Sequence, residues 1–195
     1  MYPLPTNVAR GTFVSDNVEL LRAQGHEVKV VNPLPRMLKY QESRRSTLTG
    51  VAKAPVKFEH GEVEVLAPRF WGLPGHPYPS ITIGSMKRMT KKVSNWLNDW
   101  QPQIIICHTI WPAAELAGRL AKQLSIPWIA VVHGHDFDVG LQDSNIGHHI
   151  SRLAKQANQI VTVSQFDYQI RQGQNSLLLV QKNRYFQGQD LHFLD

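Results

Sequence analysis

Apolar residues recur along this chain in two alternating rhythms. Val14, Val18 and Leu21 fall at helical spacing within Thr12 to Gln24, and Gly25 stands where a C′ glycine ends a helix. Glu27 to Val31 then reads as a strand, stopped by Asn32-Pro33. Residues 35–60 are polar, basic and irregular, and read as a long loop with room for a short helix. Glu62 to Leu66 alternates apolar and polar, which predicts a strand with one wet face. After the Pro/Gly-rich stretch Pro68 to Pro79, Met86, Met89, Val93, Trp96, Leu97 and Trp100 share one side of a predicted helix. Lys87, Arg88, Lys91 and Lys92 take the other. Gln103 to Cys107 and Trp128 to Val132 are almost wholly apolar, as strands buried on both faces of a parallel sheet are. Between them, Ala113, Leu116, Ala117, Leu120 and Leu124 mark a helix closed by Ile126-Pro127. Ile146, Ile150, Leu153 and Ala157 mark another, ahead of the strand Ile160 to Val163. Ser164-x-x-Asp167 then opens a capping-box-like helix ending at Gly173, and Leu177 to Val180 is a last strand.

Strands alternating with helices predict an α/β, Rossmann-like, doubly wound parallel sheet in a single domain over residues 1–195. Ligands of such sheets sit beyond the carboxyl ends of the strands. His108 and Thr109 follow one strand there, His133-Gly134-His135-Asp136 a second, and Ser164 a third. Ser164 also precedes a helix whose first amides can hold a phosphate. The His133 to Asp136 run has three readings. One is a metal site completed by His108, His148 or His149, although His133 and His135 point oppositely in extended chain. Another is a histidine used as a cap or buried hydrogen-bonder. The third is substrate contact, with Gly134 letting the chain turn beside a bound group. Asp136 is open between substrate contact and capping a following turn. Ahead of the first helix, Gly11 can bring a backbone amide to a phosphate while Arg10 adds charge, and an ordinary loop is the competing reading. Cys107 and His108 are adjacent on a strand and so face opposite ways, which disfavours a Cys–His nucleophile.

Composition narrows the setting. The chain has 195 residues, 42% of them apolar and 18% charged, which suits one folded domain. One cysteine excludes an internal disulfide and fits a reducing, cytoplasmic compartment. No apolar run reaches the roughly 18–20 residues of a membrane span, and Met1 to Pro5 has no signal-peptide character. The net charge of +6 favours anionic partners. Nucleic acid is disfavoured, because aromatic and basic residues are not interleaved on a predicted exposed face.

The order of motifs resembles the N-terminal domain of GT-B glycosyltransferases of family 4. Tyr2-Pro3-x-Pro5 leads to Arg10-Gly11-Thr12-Phe13-Val14, then to Leu20-Leu21-x3-Gly25-His26-Glu27-Val28-x-Val30. Pro102-Gln103-Ile104-Ile105-Ile106-x-His108 with Trp111-Pro112 follows, then Ile126-Pro127 and Val132-His133-Gly134-x-Asp136. Ala157-Asn158-x-Ile160-x-x-Val163-Ser164 and Gly188-x-Asp190-Leu191-x-Phe193 complete it. The resemblance implies a retaining sugar transferase that uses a nucleotide-sugar donor and no divalent metal or other cofactor. It implies an acceptor, glycan or lipid-linked, held by this domain, with the Gly11 loop near the donor diphosphate. It puts His133 by the transferred sugar as the catalytic residue, and Arg10, Gly11, His108, Gly134, Asp136 and Ser164 among the groups that bind substrate.

Two departures from the family pattern shape the expectation. The family's second domain, which carries most of the donor site, has no counterpart in these residues, so a donor domain or partner chain is expected to supply it. The apolar strand that precedes the "YP.P" segment in the family is replaced by Met1. The expected molecule is therefore half of a GT-B fold without its first strand, inactive alone, with peripheral contact to the inner membrane as a further expectation. Two other readings stand beside it. One is a non-catalytic sugar or phospho-sugar binding module; the other is an enzyme such as a sugar-nucleotide epimerase or a metal-dependent hydrolase.

Overall fold

A computed structural model describes residues 2–42, 48–73 and 75–162, with the side chains of 135–138 excepted. The helices are α1 (Thr12–Ala23), α2 (Lys39–Glu42), α3 (Pro79–Leu97), α4 (Ala113–Leu124), α5 (Gly134–Gln142) and α6 (Gly147–Gln156). The strands are β1 (Val30–Val31), β2 (Leu34–Pro35), β3 (Lys57–His60), β4 (Val63–Leu66), β5 (Arg69–Phe70), β6 (Ile105–His108), β7 (Trp128–Val132) and β8 (Gln159–Thr162). Among the described residues they form sheets of order β1-β4-β3, β2-β5 and β6-β7-β8. All pairs are parallel except β3 with β4.

Helices cover both faces of the β1-β4 pair. On β1 and β4, Val30, Val63 and Val65 pack with Val14 and Val18 of α1 and with Tyr2. The alternate residues Val31 and Leu66 pack with Met86, Met89, Val93 and Leu97 of α3. One strand pair thus feeds two cores, as a doubly wound sheet requires. In β6-β7-β8, Cys107, Ala130, Val132 and Ile160 pack under small residues of α4 and under Ile150 and Leu153 of α6. Ala114, Ala117 and Ala121 let α4 lie close to the strands, while Leu116 and Leu120 on its flank reach the α3 core. The whole of β7 is buried, in line with its unbroken apolar run.

Several ends follow from local chemistry. Helix α1 closes in a Schellman motif: the His26 amide donates to Leu21 O at 3.1 Å and the Gly25 amide to Arg22 O at 2.9 Å, with Gly25 at φ 88°. Helix α3 starts with Pro79 in its first turn, where the missing N–H costs nothing.

Some expectations need correction. Of the strand expected over Glu27 to Val31, only Val30 and Val31 join the ladder. The stretch 35–60 holds the short helix it had room for, as α2, and in addition the whole of β3, which was expected to be loop. Helix α3 begins seven residues before Met86, the first position of its predicted stripe, and stops before Trp100. The expected helix from Ser164, the strand Leu177 to Val180 and the Gly188 to Phe193 segment lie outside the described residues.

Candidate functional site

The carboxyl ends of β6 and β7 bring His108 and His133 together. His108 is the last residue of β6 rather than the first beyond it, and His133 is the N-cap of α5. Their rings stack with centroids 5.7 Å apart and planes 21° apart. His108 Nδ1 lies 3.5 Å from His133 Nε2, so one ring donates and the other accepts according to tautomer. Phe13, in the first turn of α1, closes the group: its ring centroid lies 4.7 Å from that of His133 and 6.2 Å from that of His108.

Two helix N-termini therefore converge on this pair. Helix α1 starts after Gly11, whose left-handed backbone (φ 62°, ψ 34°) turns the chain into the helix. Neither N-cap residue, Gly11 or His133, makes a side-chain cap hydrogen bond. Both ends point the positive pole of a helix at the same place. Arg10, immediately ahead of Gly11, is half-buried, and burial lowers its guanidinium pKa.

Burial, and after it the neighbouring His133, push the His108 imidazole from 6.5 to about 4. It is neutral at physiological pH. Beneath it, burial pushes the Cys107 thiol up to about 12, and its Sγ–H donates to Thr109 O at 3.3 Å. Cys107 is inert toward nucleophilic chemistry. Thr109 carries the chain away from β6 at φ 72°, a left-handed conformation that costs a β-branched residue about 1–3 kcal/mol. Its amide donates to Val131 O at 2.9 Å, which extends the β6–β7 ladder and holds the bend.

The remaining expected residues divide. Gly134 is the first residue of α5 and is not among the positive-φ glycines, so it starts a helix rather than making a sharp turn. Asp136 is the third residue of α5, inside the helix, where His133 already holds the cap position. The helical course of 134–142 replaces the extended one assumed for His133 and His135. Ser164 lies outside the described residues. His148 and His149 pair with each other, at 3.8 Å between centroids, and His149 stacks on Trp111. Among the described residues no three His, Cys, Asp or Glu side chains are grouped to hold a metal ion. Glu19 pairs with Arg22, and Glu27 accepts the Trp100 indole N–H.

Sequence reasoning passed over Phe13 as a site residue. The available signal is its position beside Val14 but off the Val14–Val18–Leu21 stripe, which leaves a large apolar ring 40% exposed. A groove at the amino ends of β1 and β4, lined by Arg22, Lys29, Glu62, Glu64 and Trp100, lies at the opposite end of these strands. Its charges are mutually satisfied, Arg22 with Glu62 and Lys29 with Glu64, so it is a weaker ligand site than the histidine pair.

Parallel strands covered on both faces, with polar side chains gathered at their carboxyl ends, define a Rossmann-like domain of the kind that forms half of a GT-B fold. The chain belongs to the glycosyl transferase 4-like domain family, whose model matches residues 10–170. The match takes in every candidate site residue from Arg10 to Ser164. No curated protein matches the chain.

Proposed function

We propose that this domain is the acceptor-side half of a retaining glycosyltransferase and that its histidine pair adjoins the sugar being transferred. The observation that carries the reading is the convergence of two helix N-termini on His108 and His133. Such ends attract phosphate oxygens, and a nucleotide-sugar donor offers a diphosphate. Thr12 and Phe13 amides, which follow the Gly11 turn, are the groups on α1 free to reach it.

In this arrangement the chain's residues catalyse by placement. Neutral His108 holds the His133 ring, which stands beside a sugar hydroxyl or the charge that develops on the leaving phosphate. No metal or cofactor enters the scheme. The acceptor is a glycan or a lipid-linked sugar, and most of the donor contacts come from a second domain or partner chain.

The test is a titration of the 195-residue chain with a nucleoside diphosphate, read by the ring proton shifts of its histidines. His108 and His133 are expected to shift together, and His133→Ala is expected to remove the response while preserving the fold. Completed with a donor domain, the wild type should transfer sugar and the His133→Ala variant should lose that activity. Full turnover by the variant would take His133 out of the site. Sugar transfer by the 195 residues alone would overturn the expected need for a donor domain. Nucleoside diphosphate binding without transfer in any two-domain form would favour the sugar-binding module.

A further inference from the structure

We infer that the corner formed by the ends of β2 and β5 and the start of α3 is a docking surface for an anionic lipid bilayer. Six large apolar side chains stand exposed there: Leu38, Tyr40, Trp71, Leu73, Tyr78 and Ile81, each at 44–62%. Monomeric domains rarely leave such groups contiguous unless a partner covers them.

Backbone hydrogen bonds tie together the segments that carry them. The Arg36 amide donates to Phe70 O at 2.8 Å, so the β2–β5 register continues to the point where both chains leave the sheet. The Arg36 guanidinium lies 5.1 Å from the Trp71 ring centroid. Beyond it come Leu38 and Tyr40, the latter on α2. On the other side, the Trp71 amide donates to Ser85 Oγ at 3.0 Å, which fixes this segment to α3. The His76 amide donates to Leu73 O at 3.1 Å and turns the chain toward Tyr78 and Ile81 at the helix start.

Charge decides the partner. Arg36 and Lys39 are exposed within the patch. Arg88 and Lys92 follow Ile81 by seven and eleven residues, about two and three turns, and continue its stripe along the exposed face of α3. Against these four cations stand two nearby carboxylates, Glu42, which accepts the Ala52 amide, and Asp143, which accepts the Asn145 and Ile146 amides and faces His76. Trp and Tyr rings among Leu, Ile and basic side chains form the chemistry of a membrane interface, apolar below and wet above. Among the described residues no helix is long and apolar enough to cross a membrane, and the contact inferred is a peripheral one. The inference does not rest on the role assigned to His133.

The experiment is cosedimentation of the 195-residue chain with vesicles of phosphatidylglycerol and phosphatidylcholine, against phosphatidylcholine alone. Binding is expected to the anionic vesicles only and to weaken with salt. Each basic side chain removed, as in Arg36→Gln or Lys39→Gln, should weaken it about fivefold. The double variant Trp71→Ser/Tyr78→Ser should lose it, with an unchanged circular dichroism spectrum and melting temperature. Brominated lipid should quench the wild type more than Trp71→Phe. Equal binding to neutral vesicles, undiminished binding by these variants, or no vesicle binding would overturn the inference. Quenching of Trp71 by a soluble oligosaccharide in place of vesicles would give the patch to a glycan and overturn it as well.

Discussion

His108 carries opposing demands. It closes a buried strand, yet its imidazole must stay polar enough to hold His133 3.5 Å away. The compromise is a neutral ring, and it has a consequence for stability. In the unfolded chain this histidine takes up its proton near pH 6.5; in the folded one it does so only near pH 4. Between those values the unfolded state binds more protons, so the group lowers stability as pH falls from about 6.5 to about 4 and contributes no slope above that range. Urea denaturation across the window should show the loss in the wild type, and His108→Gln should show a shallower dependence. Equal slopes would mean that His108 is as well solvated as a free imidazole. Neighbouring residues show what a sequence can reveal at this scale. His108 and His133 were legible because topology sends the carboxyl ends of parallel strands to one edge. Phe13 was not, because a ring that meets the pair across the fold leaves no periodic trace. Thr109 was visible only as a polar residue, since nothing in its identity announces a left-handed backbone.

Among the elements, α4 and α6 are tied by a charge that water scarcely reaches. Glu115 is 2% exposed and pairs with Arg119 on its own helix, at 3.4 Å, and with Arg152 on α6. Both arginines keep more than a third of their side chains in solvent. The two sides of this network should therefore respond unequally. Removing the carboxylate leaves guanidinium groups that rehydrate, whereas removing Arg152 strands a buried carboxylate with one partner. Glu115→Gln is expected to cost about 1–2 kcal/mol and Arg152→Met about 2–4 kcal/mol, by chemical denaturation. A larger cost for Glu115→Gln would show that the pair's attraction, not the desolvation of Glu115, governs the contact. Helices with a full stripe, such as α1, α4 and α6, were legible from spacing because their buried residues fall on one face. Strand β3 was not: Lys57-Phe58-Glu59-His60 is half-polar and exposed at alternate positions, and it exists because β4 offers it an antiparallel ladder. The early start of α3 was hidden because Pro79 ends a Pro/Gly-rich stretch, a composition shared with loops.

At the scale of the whole molecule, the two three-stranded sheets are joined by side chains rather than by a ladder. Among the described residues no backbone pairing links β1 to β6, although Val31 and Ile105 pack against one shared cluster of Met86, Met89, Leu116 and Leu120. In a parallel strand alternate amides serve opposite neighbours. On β1 the Asn32 amide donates to Leu66 O, and on β6 the Ile105 and Thr109 amides donate to Pro127 O and Val131 O. By the same parity Val31, Ile106 and His108 direct their amides away from β4 and β7, toward the edge where a further strand would have to sit to unite the sheets. Native-state hydrogen exchange on the 195-residue chain can read this residue by residue. Ile106 is expected to exchange at least about tenfold faster than Cys107, which by parity serves the β7 ladder, and Val31 faster than Asn32 by a similar factor. Adding a hydrophobic dye should report the same edge by fluorescence. Matched protection of Ile106 and Cys107 would mean that β6 is paired on both sides, and that the two halves already form one continuous sheet.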